Sequence, residues 1–321
     1  MLLNPDTWLS HPTWYVTPSS QKDGGGADGG TLQGRVTCKD GAHQTDPPEI
    51  QALRQSRWLG GILGVMDLSQ IELRVAALLS GEPFFLNAFL HGHDLHGRSA
   101  AHIVWSEAEI IRRYPSLALV PIDLWRKSCP SFSDKEGQVG KQINFAHLFR
   151  SGASTMQTSV LDKVGELIPL PIFEKIARNR AADLPTLWSW QESLIHETKV
   201  KGRLVLPFTG QSRAFLGGEK YEVNEIVNFP VQTTAGNTLL RIQYHVHRII
   251  LSSPFAARIL PFLNVYDALY FDCDSPESFD FLKSVLTEAV HIVSTSDYWH
   301  RLQLHHSRSV PLTYGLKSVA A

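Results

Sequence analysis

Between Gly61 and Leu68 the chain reads GILGVMDL, an apolar run of strand length that delivers a carboxylate, Asp67, at its end. The residues that follow, SQIELRVAALLS, carry Ile71, Leu73, Val75, Ala76, Leu78 and Leu79, close to a buried helical face. A strand feeding straight into a helix, with an acid at the junction, is an arrangement that active sites use.

The chain is long enough to build a globular fold: 321 residues, 43% of them hydrophobic, can bury one large core or two modest ones. Its cysteines (Cys38, Cys129, Cys273) are odd in number and far apart, which fits neither a disulfide framework nor a CxxC zinc site and favours a reducing compartment. The opening MLLNPDTWLSHPTWYV lacks the basic flank and apolar block of a secretion signal, and no run approaches a membrane span. A cytoplasmic protein without membrane contact is the expectation. A net charge of −1 and a pI near 6.9 argue mildly against nucleic acid, whose phosphates usually demand a basic excess. Local basic faces remain available at Arg112 and Arg113, Arg126 and Lys127, Lys135 and Lys141, and Lys199, Lys201, Arg203 and Arg213; each also reads as a solvated helix face.

Residues 20–31, SQKDGGGADGGT, are too glycine-rich to order cheaply and read as a flexible loop between two extended pieces. Residues 87–225 read as mainly helical, punctuated by prolines, with a hairpin between KGRLVLPF and QSRAFL. Then VNFPVQTTAGNTLLRIQYHVHRIIL reads as a long helix, FLNVYDALYFDCD as a hairpin with a tight YDA turn, and 277–293 as an amphipathic helix.

Four segments carry the chemistry: DLSQIELR at 67–74, KQINF at Lys141–Phe145, NFPVQTTAGN at Asn228–Asn237 and NVYDALYF at Asn264–Phe271. In this order, with GHDLH at 92–96 and GRVT at 34–37 between and before them, they resemble motifs A, B and C of the family A DNA polymerases. The resemblance covers roughly residues 11–321. It implies an α+β fold, a right-hand polymerase palm with an antiparallel sheet and helices, plus a mainly helical fingers subdomain. The palm would comprise 1–86 and 226–321, with motif A at 67–74 and motif C at 264–271; the fingers would be 87–225, with motif B at 141–149.

The implied activity is template-directed addition of deoxynucleotides to a primer 3′-hydroxyl. Such transfer uses two divalent ions about 3.5–4 Å apart, held by hard carboxylates. By resemblance Asp67, Asp267 and the carbonyl of Leu68 would hold two Mg²⁺ ions, with Mn²⁺ as a substitute; magnesium suits oxygen ligands completed by substrate phosphates. Lys141 would neutralise, and as an acid protonate, the leaving triphosphate. Gln70, Glu72, His96, Phe145 and Phe149 fall at nucleotide-binding positions. Glu72 matches the steric gate that blocks a ribose 2′-hydroxyl, and a phenylalanine at 145 is associated with rejecting dideoxynucleotides. His96 matches a histidine near the β-phosphate, although His91, His93 and His96 together also resemble a metal cluster. Arg35, Asn228, Gln232 and Tyr266 fall at primer-template positions, where minor-groove acceptors common to all base pairs permit shape checking. Taken singly, each residue has a structural reading: a turn aspartate, an exposed helical lysine, a core phenylalanine.

Several positions depart from the family. Gly137 stands where an arginine is expected one turn before Lys141, leaving Lys135, Arg126 or Lys127 as replacements. Phe149 and Arg150 replace Tyr-Gly, removing a hydroxyl and adding a positive charge near the template pivot. Ala268 replaces an auxiliary glutamate, and Asn224 an arginine. By resemblance the expectation is a palm and fingers without a thumb or a proofreading exonuclease, with primer-template DNA, dNTPs and a further polypeptide supplying thumb, exonuclease or processivity as the expected partners. The competing readings are a single-subunit RNA polymerase relative, opposed by Glu72 and Phe145, and a non-catalytic DNA-binding or scaffold subunit of a replisome.

Overall fold

The computed structural model describes residues 13–15, 37–39, 53–206, 208–215, 223–265, 267–304 and 310–319. Arg35, Tyr266 and the glycine-rich stretch 20–31 lie outside the described residues. The chain divides into two compact units, one of residues 1–71, 232–301 and 312–321, the other of 72–231 and 302–311.

The first unit opens with a two-stranded antiparallel pair, β1 (Thr13–Tyr15) and β2 (Thr37–Lys39). It continues into β3 (Ile62–Leu68). Leu63, Gly64, Met66 and Leu68 of β3 are buried and Asp67 is exposed, so the strand reads as an apolar run with one acid at its end.

The second unit is mainly helical. All residues of α1 (Ile71–Ser80) except Glu72 are buried. It is followed by α2 (Pro83–His91) and by α3 (Leu95–Ser99), which widens into a π-helical turn over Ala100–Val104, where Trp105 N donates to Ala100 O at 2.9 Å. A Ser106–Glu109 capping box opens α4 (Glu107–Arg113). Then come α5 (Trp125–Ser128), α6 (Pro130–Asp134), α7 (Glu136–Leu148), α8 (Ala153–Val164), α9 (Leu170–Asp183) and α10 (Pro185–Lys201). The expected hairpin is present as β4 (Arg203–Val205) against β5 (Ser212–Ala214). Val139, Ile143, Met156, Val160, Phe173 and Ile176 form the core that packs α7 on α8 and α9.

The long helix α11 spans Val223–Leu251, one turn earlier than the hydrophobic pattern alone placed its start, because Asn224 and Glu225 make a polar first turn. The motif C hairpin follows as β6 (Ile259–Val265) and β7 (Ala268–Cys273), with a register shift between Pro261 and Leu263. After it come α12 (Pro276–Ser294), α13 (Asp297–Leu304) and β8 (Tyr314–Val319). The four-stranded antiparallel sheet has the order β6-β7-β3-β8, so the motif A strand is paired on both sides. The apolar face of α12, with Phe279, Leu282, Val285, Leu286, Ala289 and Val293 buried at helical spacing, covers this sheet. The approach is close: a Cβ on Gly64 would lie 2.9 Å from the Phe279 ring.

Candidate active site

The sheet brings the two motif aspartates together. In the antiparallel register of β3 and β7, Asp67 lies opposite Ala268, and Leu68 N donates to Asp267 O at 3.2 Å. Directly opposed residues of an antiparallel pair have Cα atoms about 4.5–5.5 Å apart, so two carboxylates remote in sequence share one end of the sheet. Asp67 is exposed and Asp267 half-buried in the turn, while Leu68 is buried with its backbone paired to Tyr314 of β8. Two hard oxygen donors at an open strand end, beside backbone carbonyls, fit a magnesium ion that keeps water and substrate oxygens in its shell. No group of three or more His, Cys, Asp or Glu with metal-site spacing occurs among the described residues.

Directly after β3, Gln70 has φ 54°, in the left-handed region that favours glycine, and its buried Oε1 lacks a hydrogen-bond partner among the described residues. Arg150, after motif B, is the other non-glycine residue with positive φ (53°) among the described residues. Both lie at the edges of the motif segments, and backbone strain tends to concentrate at working positions.

In the helical unit α7 presents a single open stripe. Glu136, Gly137, Val139, Gly140, Ile143, Asn144, Ala146, His147 and Leu148 are buried; Lys141 is exposed, and Gln138, Gln142 and Phe145 are half-buried at helical spacing. The rings of Phe145 and Phe149 stack at 6.1 Å with 27° between planes, continuing the stripe past the helix end. Both helix ends are pinned. Glu136 accepts from Arg113 Nη1 (2.9 Å) and Tyr114 Oη (2.6 Å), and at the other end Gln191 Nε2 donates to the carbonyls of His147 (3.1 Å) and Leu148 (2.9 Å).

The charge added by Arg150 does not lie open near a template path. Its guanidinium stacks 3.7 Å from the Trp188 ring, donates to Gln191 Oε1 at 2.8 Å and pairs with Glu192 at 2.7 Å, with 8% of the side chain exposed. These contacts offset the strain of an arginine at a backbone position suited to glycine.

His96 is buried, and its Nδ1 lies 2.9 Å from Asn144 Nδ2. Asn144 Oδ1 lies 2.7 Å from Ser99 Oγ, whose hydroxyl also reaches the Leu95 carbonyl at 2.9 Å, so the asparagine amide bridges Ser99 and the His96 ring. Burial, then the charges of Arg126 and Lys141, hold its pKa down to about 3. This buried engagement separates His96 from His91 and His93, so the three do not form the metal cluster their spacing resembled. His93 instead pairs with Asp123 at 2.7 Å, beside the two hydrogen bonds from Arg98 to the same carboxylate. His147 is likewise buried, neither ring nitrogen having a partner among the described residues, and burial, with the Arg180 charge, lowers its pKa to about 3.

Both histidines therefore take up a proton on unfolding at pH values where the folded form stays neutral. Their stabilising contribution is complete above the unfolded pKa of 6.5 and is lost as pH falls from there toward 3. Urea unfolding is expected to weaken by about 2–3 kcal/mol per pH unit below 6.5 from the pair. A His147→Phe variant is expected to halve that slope; an unchanged slope would contradict the buried neutral assignment.

Asn228 and Gln232 stand one turn apart on α11, and the buried Oδ1 of Asn228 has no partner among the described residues. Asn224 accepts from Glu225 N at 2.9 Å, a local cap rather than a phosphate contact. From the sequence Arg126 is one of three possible replacements for the cation missing at Gly137, and nothing there points to Asp94 or Gln191. Asn144 carried a signal, lying inside KQINF on the inner side of a helix whose other buried residues are mostly apolar or glycine. Gln191 carried none.

No protein-family model matches the chain. It is similar to DNA polymerase I of Aquifex aeolicus (strain VF5), 27% identical over 182 residues, covering 56% of this chain and 27% of that protein. It is also similar to thermostable DNA polymerase I of Thermus thermophilus, 27% identical over 223 residues, covering 65% and 23%, and to DNA polymerase I of Lactococcus lactis, 21% identical over 282 residues, covering 82% and 28%. The chain thus spans about a quarter of the length of these relatives. Among solved structures, the POL domain of Pol1 from M. smegmatis, determined with DNA primer-template and dNTP, superposes with a TM-score of 0.66 at 17% identity, covering 96% of this chain and 47% of that one. The fold is that of a polymerase domain, and no helix among the described residues is long and apolar enough to cross a membrane.

Proposed function

We propose that this chain, whose fold and partial sequence matches fit a portion of a family A polymerase, is a DNA-directed DNA polymerase that extends a primer 3′-hydroxyl with deoxynucleotides copied from a template. The observation that carries this reading is the register of β3 and β7, which sets Asp67 beside the turn of Asp267 at one end of the sheet. Asp67, Asp267 and the Leu68 carbonyl would hold two Mg²⁺ ions, or Mn²⁺ in their place. When bound, such ions activate the attacking hydroxyl and neutralise charge at the phosphate.

The remaining roles belong to the chain itself. Lys141, exposed on the α7 stripe, neutralises the leaving pyrophosphate. Phe145 and Phe149 offer a stacked aromatic surface to the incoming base and sugar, and Gln70 contributes from the turn after β3. His96, held by Asn144 and kept neutral by burial, serves as an uncharged hydrogen-bonding group for phosphate oxygens. Asn228 and Gln232 read acceptors shared by all base pairs in the minor groove. Arg35 and Tyr266, outside the described residues, are proposed to join them at the duplex.

Glu72, half-buried in the first turn of α1, excludes a ribose 2′-hydroxyl. Its replacement by alanine is expected to raise ribonucleotide incorporation relative to deoxynucleotide by about 10²-fold, because a pocket that merely tolerates the extra hydroxyl discriminates poorly. Competitive extension with both nucleotide types measures the ratio, and an unchanged ratio would remove Glu72 from the gate. The reading as a whole is tested by primer extension with the purified chain, a defined primer-template, dNTPs and Mg²⁺. Templated extension supports it; DNA binding without extension favours the scaffold reading.

A further inference from the structure

Helix α7 lacks a cation at Gly137, one turn before Lys141 and on the same face. The volume that a side chain would take there is filled from another helix. A Cβ placed on Gly137 would lie 2.9 Å from Arg126 Nε, 3.0 Å from its Cδ and 3.2 Å from its Cγ. We propose that Arg126 of α5 supplies the guanidinium that position 137 does not, and that with Lys141 it forms a two-cation seat for the polyphosphate of an incoming nucleoside triphosphate. The proposal rests on the polymerase reading above and names one residue of its substrate site.

The geometry separates Arg126 from its two rivals. Lys135 lies before the first residue of α7 with a non-helical backbone (φ −109°, ψ −90°), is exposed, and supplies none of the three atoms nearest the Gly137 position. Lys127 is exposed, directs its side chain about 100° around α5 from Arg126, and supplies none of the three atoms nearest the Gly137 position. Arg126 is anchored yet open: Nη1 reaches Asp94 Oδ1 at 3.2 Å, a quarter of the side chain is exposed, and the buried Nε has no hydrogen-bond partner among the described residues. Asp94 is therefore a positioning residue, holding one edge of the fork. The charges of Arg126 and Lys141 both act on the buried ring of His96, in keeping with the packing of Arg126 over Gly137.

Glycine at 137 and arginine at 126 are in this view a single arrangement. A larger residue at 137 would have to displace the guanidinium, and without the guanidinium the glycine leaves a gap beside Lys141. A planar fork with several donors suits phosphate oxygens better than a second ammonium would.

The test is equilibrium binding of dATP, and separately of inorganic tripolyphosphate, to the full chain without DNA, which is independent of primer extension. Arg126→Met keeps the aliphatic stem over Gly137 and removes the charge; it is expected to weaken both ligands about 10-fold to 100-fold, the range for loss of a charge-assisted contact. Gly137→Ala favours the helix intrinsically but intrudes on Arg126, so it is expected to weaken binding in the same direction with both cations still present and the melting temperature maintained. Should Arg126→Met fail to fold, Gly137→Ala carries the test alone. Binding within twofold of wild type in the folded variants, while Lys141→Met loses affinity, overturns the proposal and leaves the Arg126–Asp94 pair a structural one. Loss of triphosphate affinity in a chain that does not extend primers would support the seat and sink the polymerase reading instead.

Discussion

Alanine at Asp67 or at Asp267 is expected to lower primer extension in Mg²⁺ by about 10³-fold or more while leaving the melting temperature within a few degrees of wild type. The first half follows from charge: ions held by these carboxylates contribute several kcal/mol of transition-state stabilisation, and each 1.4 kcal/mol is about tenfold in rate. The second half follows from position, since Asp67 is exposed and Asp267 lies half-buried in a turn, so neither truncation opens a core cavity. Asp67→Asn, which preserves shape and removes charge, is expected to fall almost as far as Asp67→Ala. Single-turnover extension by the wild type and the three variants measures this, and equal rates would remove the carboxylate pair from the chemistry.

The largest stability effect is expected at Glu82. This buried carboxylate caps two helices within the helical unit: Oε1 accepts from Phe84 N at 3.1 Å at the start of α2, and Oε2 accepts from Thr186 N (3.1 Å) and Leu187 N (3.0 Å) at the start of α10. Helix N-termini carry unpaired N–H groups and a partial positive charge, so one anion satisfies both. Glu82→Ala strands three donors in a buried setting at about 1–3 kcal/mol each, and allowing for relaxation the loss is expected at about 3–5 kcal/mol. That is a large part of the 5–15 kcal/mol that holds a typical domain folded. Glu82→Gln, which retains a carbonyl acceptor, is expected to lose about half as much. Urea midpoints of the three proteins decide it; a loss below 1 kcal/mol in the alanine variant would mean that these donors find other partners.

What the sequence disclosed and what it withheld divide along contact range. The strand-to-helix junction at Asp67, the hairpin around Asp267 and the long helix through Asn228 and Gln232 were all legible, because periodicity and turn chemistry are local properties. The helical reading of 87–225 and the β4–β5 hairpin came from the same signals. The start of α11 was misjudged because a polar first turn carries no hydrophobic period. The cap at Glu82 was invisible, since its second helix begins at Pro185. In the sequence Arg150 is a positive charge added near the template pivot; its burial depends on Trp188, Gln191 and Glu192 of α10, which no local pattern links to it. Gly137 was seen as a loss, and only the packing of Arg126 over it turns that loss into an exchange of position.

The latch at the end of α7 has a mechanical consequence. Its stop is a left-handed arginine whose side chain is committed to α10, and Gln191 of α10 holds the last carbonyls of α7 in return. Tilting α7 alone would break the Arg150–Glu192 ion pair, the stack of the guanidinium on Trp188 and the hydrogen bonds of Gln191 at once. The helix bearing Lys141 and Phe145 is therefore a lever welded to its neighbour at one end, and any stroke it makes must carry α10 along.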